Sequence, residues 1–288
     1  MFSYQLSKMI GSSFRFSDVI TQLKKRESNS HKGDYGRILI IGGDIGMGGA
    51  GILASEAALM SGGGLVTLAS QKETIKPSLL RAPEVMTQDV STPKDLSRCL
   101  DQKDTILCGV GFSHSSWSKE ALGITLQFCE KHDGNLIIDG GALRILDKNY
   151  LLKRNMPSKT ILTPHPGEAA ALLNLSCEEI QKDRINSAIK IRDKYNAYTI
   201  LKGNKTIIAG EAVYVCDEGG PELAIPGSGD VLAGILAGLI SNQTDAELAC
   251  KIAVSSHGIA GEDFLNKVGQ IGLKSSELIE YIRLRINT

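Results

Sequence analysis

Short apolar runs alternate with longer helix-like stretches along most of the chain, and nearly every run stops on glycine or a polar residue. Arg37–Ile41 is near-continuously apolar and halts at Gly42-Gly43, as a strand buried on both faces would. An alanine-rich helix is predicted over Ala50–Met60, a strand over Leu65–Ala69, a strand over Thr105–Cys108 and a helix over Trp117–Lys131. The same alternation continues with strands over Asn135–Ile138, Thr160–Leu162 and Tyr198–Leu201. Short helices over Ala142–Leu146 and Ala169–Leu173 fall between them. Ser176 and Glu179 form a capping box that opens a helix reaching Tyr195. Ile207–Ala209 and Ala212–Cys216 flank Gly210-Glu211 as a hairpin, and three helices, Asp230–Ile240, Ala246–Leu265 and Ser276–Ile286, close the chain. Strand alternating with helix at this length predicts an α/β fold, a doubly wound and mostly parallel sheet sandwiched by helices. Residues 1–30 read as a peripheral N-terminal extension with one short helix over Ser17–Arg26, ahead of a single domain over 31–288.

Composition narrows the function by exclusion. Lys plus Arg equals Asp plus Glu at 32 each, with no basic stripe interleaved with aromatics, so nucleic acid is not the expected partner. The six cysteines are scattered with no C-x-x-C pair, which argues against a structural zinc site and for buried thiols in a reducing compartment. No apolar run is long enough to span a bilayer, and the N-terminus lacks the charged start and apolar core of a signal peptide. A soluble, cytoplasmic protein without a membrane partner is the expectation.

Candidate chemistry concentrates after strands. Gly42–Gly49, Gly109–Gly111, Asp139–Gly141, Thr163–Glu168 and Lys202–Thr206 each follow a predicted strand, the edge at which open α/β sheets bind ligands. A further motif, Gly227-Ser228-Gly229-Asp230, opens an apolar small-residue helix. Amides at a helix start lack intrahelical partners, so Gly227, Ser228 and Gly229 suit an anion hole. Asp230 beside them either stabilises the helix start or takes a hydroxyl proton while the amides hold phosphoryl charge. Convergence of these motifs on one sheet edge favours the second reading. Gly46-x-Gly48-x-x-Gly51 matches the dinucleotide fingerprint only as a pattern: four residues separate it from the strand, and no acid ends the next strand. No Walker A loop, protein-kinase signature set or Gly-x-Ser-x-Gly elbow is present.

The chain resembles the ADP/ATP-dependent NAD(P)H-hydrate dehydratases of the ribokinase-like superfamily over roughly residues 30–285. The resemblance rests on His31–Gly36, Met47–Ala50, Asp139–Leu143, Leu162–Glu168, Leu201–Thr206 and Gly227–Gly234, in order and spacing together. It implies phosphorylation of the C6 hydroxyl of hydrated NADH or NADPH by ADP or ATP, followed by loss of phosphate. It also implies Asp230 as catalytic base, Ala50, Gly111, His165 and Asp230 as substrate contacts, and Lys202, Gly203, Asn204, Lys205, Thr206 and Gly229 as nucleotide contacts. Mg²⁺ is the implied cofactor, with Glu168 as the candidate to position it, and a homo-oligomer, favoured as a tetramer, is the implied assembly. No epimerase domain is expected ahead of residue 30. The chain departs from the family pattern where Glu222–Gly227 replaces a Gly-Met-Ala-Thr-Gly-Gly run and where Gly111-Phe112-Ser113 replaces Gly-Pro-Gly. A small-alcohol kinase of the same superfamily and a catalytically inactive nucleotide-binding module are the alternative readings.

Overall fold

The computed structural model describes residues 11–131, 133–146, 156, 159–242 and 244–288. The eight predicted strands and two further edge strands assemble into one ten-stranded sheet among the described residues. In chain order they are β1 (Ser12–Phe14), β2 (Arg37–Ile41), β3 (Leu65–Ser70), β4 (Met86–Asp89), β5 (Thr105–Cys108), β6 (Asn135–Ile138), β7 (Thr160–Leu162), β8 (Tyr198–Leu201), β9 (Ile207–Ala209) and β10 (Val213–Cys216). Their order across the sheet is β1-β10-β9-β8-β7-β6-β5-β2-β3-β4. All neighbours pair in parallel except β9, which runs against both β8 and β10. The chain winds from β2 outward through β3 to β4, then returns to β5 on the other side of β2 and winds away. The reversal therefore lies between β2 and β5.

Successive strand residues face opposite sides, and both sides are apolar, so the sheet is covered twice. Ile38, Ile40, Leu107, Ile137, Ile161 and Ile200 enter one core. Leu39, Ile41, Ile106, Leu136, Ile138 and Leu162 enter the other. The helices, in chain order, are α1 (Phe16–Val19), α2 (Gly48–Met60), α3 (Lys72–Arg81), α4 (Leu96–Leu100), α5 (Ser116–Cys129), α6 (Gly141–Ile145), α7 (Pro166–Leu173), α8 (Cys177–Lys182), α9 (Arg184–Tyr195), α10 (Ser228–Ser241), α11 (Ala246–Lys267) and α12 (Ser275–Ile286). Buried residues of α2, α10, α11 and α12 join the first core, and those of α5, α7 and α9 the second.

Several elements differ from the sequence reading. The helix expected over Ser17–Arg26 shortens to α1 and a 3₁₀ turn at Ile20–Gln22. The single helix expected to reach Tyr195 is two, because Asp183 leaves helical geometry and its carboxylate caps α9 by accepting from the Asn186 amide. Ser12–Phe14 joins the sheet as an edge strand along β10, although that stretch reads as peripheral. Between Lys72 and Leu100 the chain forms α3, β4 and α4, which polar sequence and an internal Pro77 conceal.

Candidate active site

The carboxyl ends of the parallel strands lie side by side, and backbone bonds stitch each following loop to its neighbour. Gly43 N and Asp44 N donate to Val110 O and Gly111 O, both at 2.9 Å. Asp139 N donates to Cys108 O at 3.1 Å, Thr163 N to Ile138 O at 3.2 Å, and Lys202 N to Pro164 O at 2.8 Å. Gly109 makes this packing possible: its φ is +119°, and a Cβ there would stand 2.1 Å from Asp139 O.

Facing this edge is the start of α10. Gly227 supplies its N-cap at φ +85°, a left-handed conformation that favours glycine, and a Cβ there would meet Leu53 at 2.6 Å. Among the described residues the Gly229 and Asp230 amides have no backbone acceptor, whereas Ser228 N lies 3.4 Å from Ile225 O. The Ser228 side chain turns inward, 3.0 Å from His257 Nε2, and the same ring nitrogen lies 3.1 Å from Ser228 O. A carbonyl only accepts, so Nε2 carries the ring proton. Burial pushes His257 down to about 4, and the imidazole stays neutral while it braces the helix start.

The charged centre is built from four loops. Asp139, 2 % exposed, accepts from Thr163 Oγ1 at 2.5 Å and pairs with Lys202 Nζ at 2.6 Å. Lys202 Nζ also lies 4.0 Å from Glu168 Oε2. Burial alone would lower this ammonium, but Asp139, Glu168 and Asp230 together raise it, so it remains a cation. Asp230 is pushed up to about 7, first by burial and then by Asp139, with Lys202 opposing. A carboxyl poised there can take up and return a proton near neutral pH. His165 caps α7: its Nδ1 accepts from the Gly167 and Glu168 amides at 2.9 and 3.3 Å. The ring proton therefore sits on Nε2, 3.2 Å from Glu168 Oε1. Burial, then Lys202 and Arg144, hold His165 below its ordinary value. Glu168 completes the box by accepting from His165 N at 2.9 Å, and burial raises its carboxyl.

A cleft of about 880 Å³ opens here, walled by His165, Lys202, Gly203, Asn204, Thr206 and Gly229, with Ser228 behind. Ala50 and Gly111 sit together at the β2–β5 side, where a Cβ on Gly111 would stand 2.9 Å from Ala50 Cβ. Asp230 feels the charges of Asp139 and Lys202, but like Ala50 and Gly111 it is not among the residues that line this cleft, whose wall stops at its neighbour Gly229. Lys205 is exposed and turns to Asp217 at 3.7 Å rather than into the cleft. Both Glu168 oxygens are engaged, and among the described residues no three His, Cys, Asp or Glu side chains converge as a metal cage. Glu222, which brings a charge near the site in sequence, is 2 % exposed and folds back to accept from Gly220 N at 2.9 Å. Glu218 lines the cleft instead, pushed up to about 7 by burial. The sequence reading gave Asp139, Arg144, His257 and Glu218 no role. For Asp139 the signal was present, an acid at the tip of a buried strand.

Over residues 38–284 the sequence matches the family model described as NAD(P)H-hydrate dehydratase. The chain belongs to the NAD(P)H-hydrate dehydratase family. Two further comparisons fit that family. The chain is 36 % identical over 271 residues to the bifunctional NAD(P)H-hydrate repair enzyme of Coxiella burnetii, covering 93 % of this chain and 54 % of that protein. It is 34 % identical over 243 residues to the ADP-dependent (S)-NAD(P)H-hydrate dehydratase of Staphylococcus aureus, covering 84 % of this chain and 86 % of that one. The chain thus spans about half the length of the bifunctional relatives it matches. Its fold superposes on the ADP/ATP-dependent NAD(P)H-hydrate dehydratase of Bacillus subtilis, co-crystallised with ATP/Mg²⁺, with a TM-score of 0.85 and 28 % identity over 96 % of this chain and 98 % of that one. A ribokinase-like protein of Enterococcus faecalis gives 0.86 and 28 % over 96 % of this chain and 95 % of that one. The ribokinase-like architecture expected from sequence is therefore the observed one.

Proposed function

We propose that this chain dehydrates the hydrated form of NADH or NADPH, using ADP or ATP to convert its ring hydroxyl into a leaving group. The observation that carries this reading is Asp230: a partly buried carboxyl tuned to about 7, adjoining the open Gly229 and Asp230 amides and the Lys202 ammonium. In the first step the ionised Asp230 takes the hydroxyl proton as the oxygen attacks the terminal phosphorus and the bond to the nucleotide breaks. The amides and Lys202 hold the negative charge that spreads over the phosphoryl oxygens. In the second step the C–O bond breaks, phosphate departs, and loss of a proton from the neighbouring carbon restores the dihydronicotinamide.

Lys202, Gly203, Asn204 and Thr206 of the turn after β8 and the wall at 218–221 frame the nucleotide half of the cleft. Ala50 and Gly111, paired at the β2–β5 tips outside the lining of that cleft, mark the acceptor side. Mg²⁺ fits this site as a passenger on the nucleotide phosphates, because Glu168 is already committed to His165 and lies beside Lys202. When bound it would neutralise phosphate charge. Turnover is tested by supplying hydrated NADH or NADPH with ADP or ATP and Mg²⁺ and following recovery of near-ultraviolet dihydronicotinamide absorbance with release of phosphate. A stable phosphorylated product without that recovery would instead identify a small-alcohol kinase.

A further inference from the structure

The loop after β2 buries a carboxylate that phosphoryl transfer does not use. Asp44 is 4 % exposed, and among the described residues no cation pairs with it. Its Oδ1 accepts from the Ile45 amide at 2.8 Å and from Gln71 Nε2 at 2.6 Å. Its Oδ2 accepts from the hydroxyls of Ser113, Ser115 and Ser118 at 2.5, 2.5 and 2.9 Å. Each of those hydroxyls in turn accepts a backbone amide of the loop or of the first turn of α5, which Ser115 caps. Ser113 Oγ takes it from Ser115 at 3.1 Å, Ser115 Oγ from Ser118 at 3.1 Å, and Ser118 Oγ from Ser113 at 3.2 Å. The three serines close a ring, and their hydroxyl protons all point at one carboxylate oxygen.

A buried charge without a counter-ion is tolerated only when hydrogen bonds satisfy it. Burial alone would raise this carboxyl, but the serine hydroxyls and the Ile45 amide bring it down to about 2, so it is ionised at neutral pH. A carboxylate presents about four lone-pair sites, and these donors fill them. Asp44 thus has nothing left for a ligand; what it supplies is shape. Its partners follow β3 and β5 while it follows β2, so one side chain ties three adjacent strand tips across the point where strand order reverses. Gly111 is wedged in the same seam at φ +64°, where a Cβ would meet Met47 O at 2.6 Å and Ala50 Cβ at 2.9 Å.

We propose that Asp44 is a positioning residue for the acceptor half of the site: it fixes the loop over 109–118 against the loop over 42–47, and so sets where Gly111 and Ala50 receive the hydroxyl-bearing substrate. The placement of that substrate rests on the dehydratase reading; the ordering of the loop does not. Asp44→Asn puts an amide donor or a weaker acceptor where three hydroxyls donate, and Ser113→Ala removes one donor with less risk to folding. Both variants are compared with the wild-type chain for the KM of hydrated NADH, the KM of nucleotide, and amide hydrogen exchange. Displaced acceptor geometry is expected to raise the hydrate KM about ten-fold in Asp44→Asn and by less in Ser113→Ala, with the nucleotide KM changed less than about two-fold. Hydrogen exchange reads the loop whatever reaction the chain catalyses. Amides of Ser113, Ser115 and Ser118 should exchange faster, and those of 202–206 should not. An unchanged hydrate KM with active wild-type enzyme, a parallel rise in both KM values, or unaltered exchange at the serine loop would overturn the proposal. Failure of the wild-type chain to turn over hydrate, with the exchange result as expected, would overturn the dehydratase reading and leave the loop anchor standing.

Discussion

In the proposed reaction Asp230 is the base, and a base must be ionised before it can act. With its carboxyl held at about 7, kcat/KM should climb as pH rises through that value and level off above it. Asp230→Asn removes the proton acceptor while keeping shape, so turnover should fall by about 10²–10⁴-fold with nucleotide binding retained, measured by kinetics and by titration of ADP. Asp139 tests the tuning itself. Its negative charge raises Asp230, and it also holds Lys202, whose positive charge lowers Asp230. Asp139→Asn removes the first effect and leaves the second, so the acid limb of the pH profile should move to lower pH. A limb that stays put or moves to higher pH would contradict this account. The position of Asp230 at a helix start after Gly-Ser-Gly was legible in the sequence, but its ionisation was not. Burial and the approach of Asp139 and Lys202 come from loops joined only by the fold. His165 illustrates the same limit: its Pro-flanked place in the sequence marks a strand-edge turn, yet only coordinates reveal that backbone amides occupy Nδ1 and fix the proton on Nε2.

The helices that present these residues are held by close contact rather than by large side chains. Gly234 and Gly238 of α10 lie against α2, where Cβ atoms would stand 2.2 Å from Ala54 O and 2.5 Å from Ala58 O. Alanine is the better helix former by about 1 kcal/mol, so propensity predicts that Gly234→Ala stabilises. Contact with backbone predicts the reverse, since α2 cannot yield as a flexible side chain would. Overpacking of this kind costs about 1–3 kcal/mol, enough to outweigh the gain from propensity. Urea denaturation of Gly234→Ala should therefore show a lower midpoint, and α10 should be displaced enough to reduce turnover as well. A higher midpoint would mean that the helix pair relaxes at little cost. The small-residue stripe on α10 was visible in sequence as Ala233-Gly234 and Ala237-Gly238, but its partner was not. Strands whose apolar runs are bounded by glycine or polar residues, such as Thr105–Cys108 and Asn135–Ile138, were read with the bounds they have. β1 and β4 were missed because an edge strand needs no continuous apolar run.

At the scale of the whole molecule, alternation of strand and helix gave the layered parallel sheet, while strand order was set by which crossovers bury both faces. The site at the reversal and along the adjacent tips therefore collects acids that burial keeps from ionising freely, and this shapes the stability of the entire fold. Asp230 and Glu218 are each pushed to about 7 and Glu168 is raised as well, against ordinary values of 3.8 for Asp and 4.5 for Glu. Between the ordinary and the raised values the folded chain binds more protons than the unfolded chain, so the stability these groups contribute is present in acid and lost as pH rises through about 7. His257, lowered to about 4 from 6.5, and His165, also lowered, act in the opposite sense: their contribution is present above 6.5 and lost as pH falls. Three carboxyls oppose two imidazoles in that window, so the ligand-free protein should be most stable near about pH 5 and should lose melting temperature steadily toward pH 8. Toward pH 4 and below the trend reverses, because the unfolded chain protonates Asp44 at its ordinary 3.8 while the folded chain keeps it ionised down to about 2. Asp230→Asn deletes one of the three raised acids, so its melting temperature should exceed that of the wild-type chain at pH 8 and match it more nearly at pH 5. Such a variant would be more stable and inactive, the trade expected when an active site holds a group in an unfavourable state. Thermal melts at fixed ionic strength from pH 4 to 9 decide the matter, and a wild-type melting temperature that rises from pH 5 to 8 would show that the buried acids do not govern the fold's response to pH.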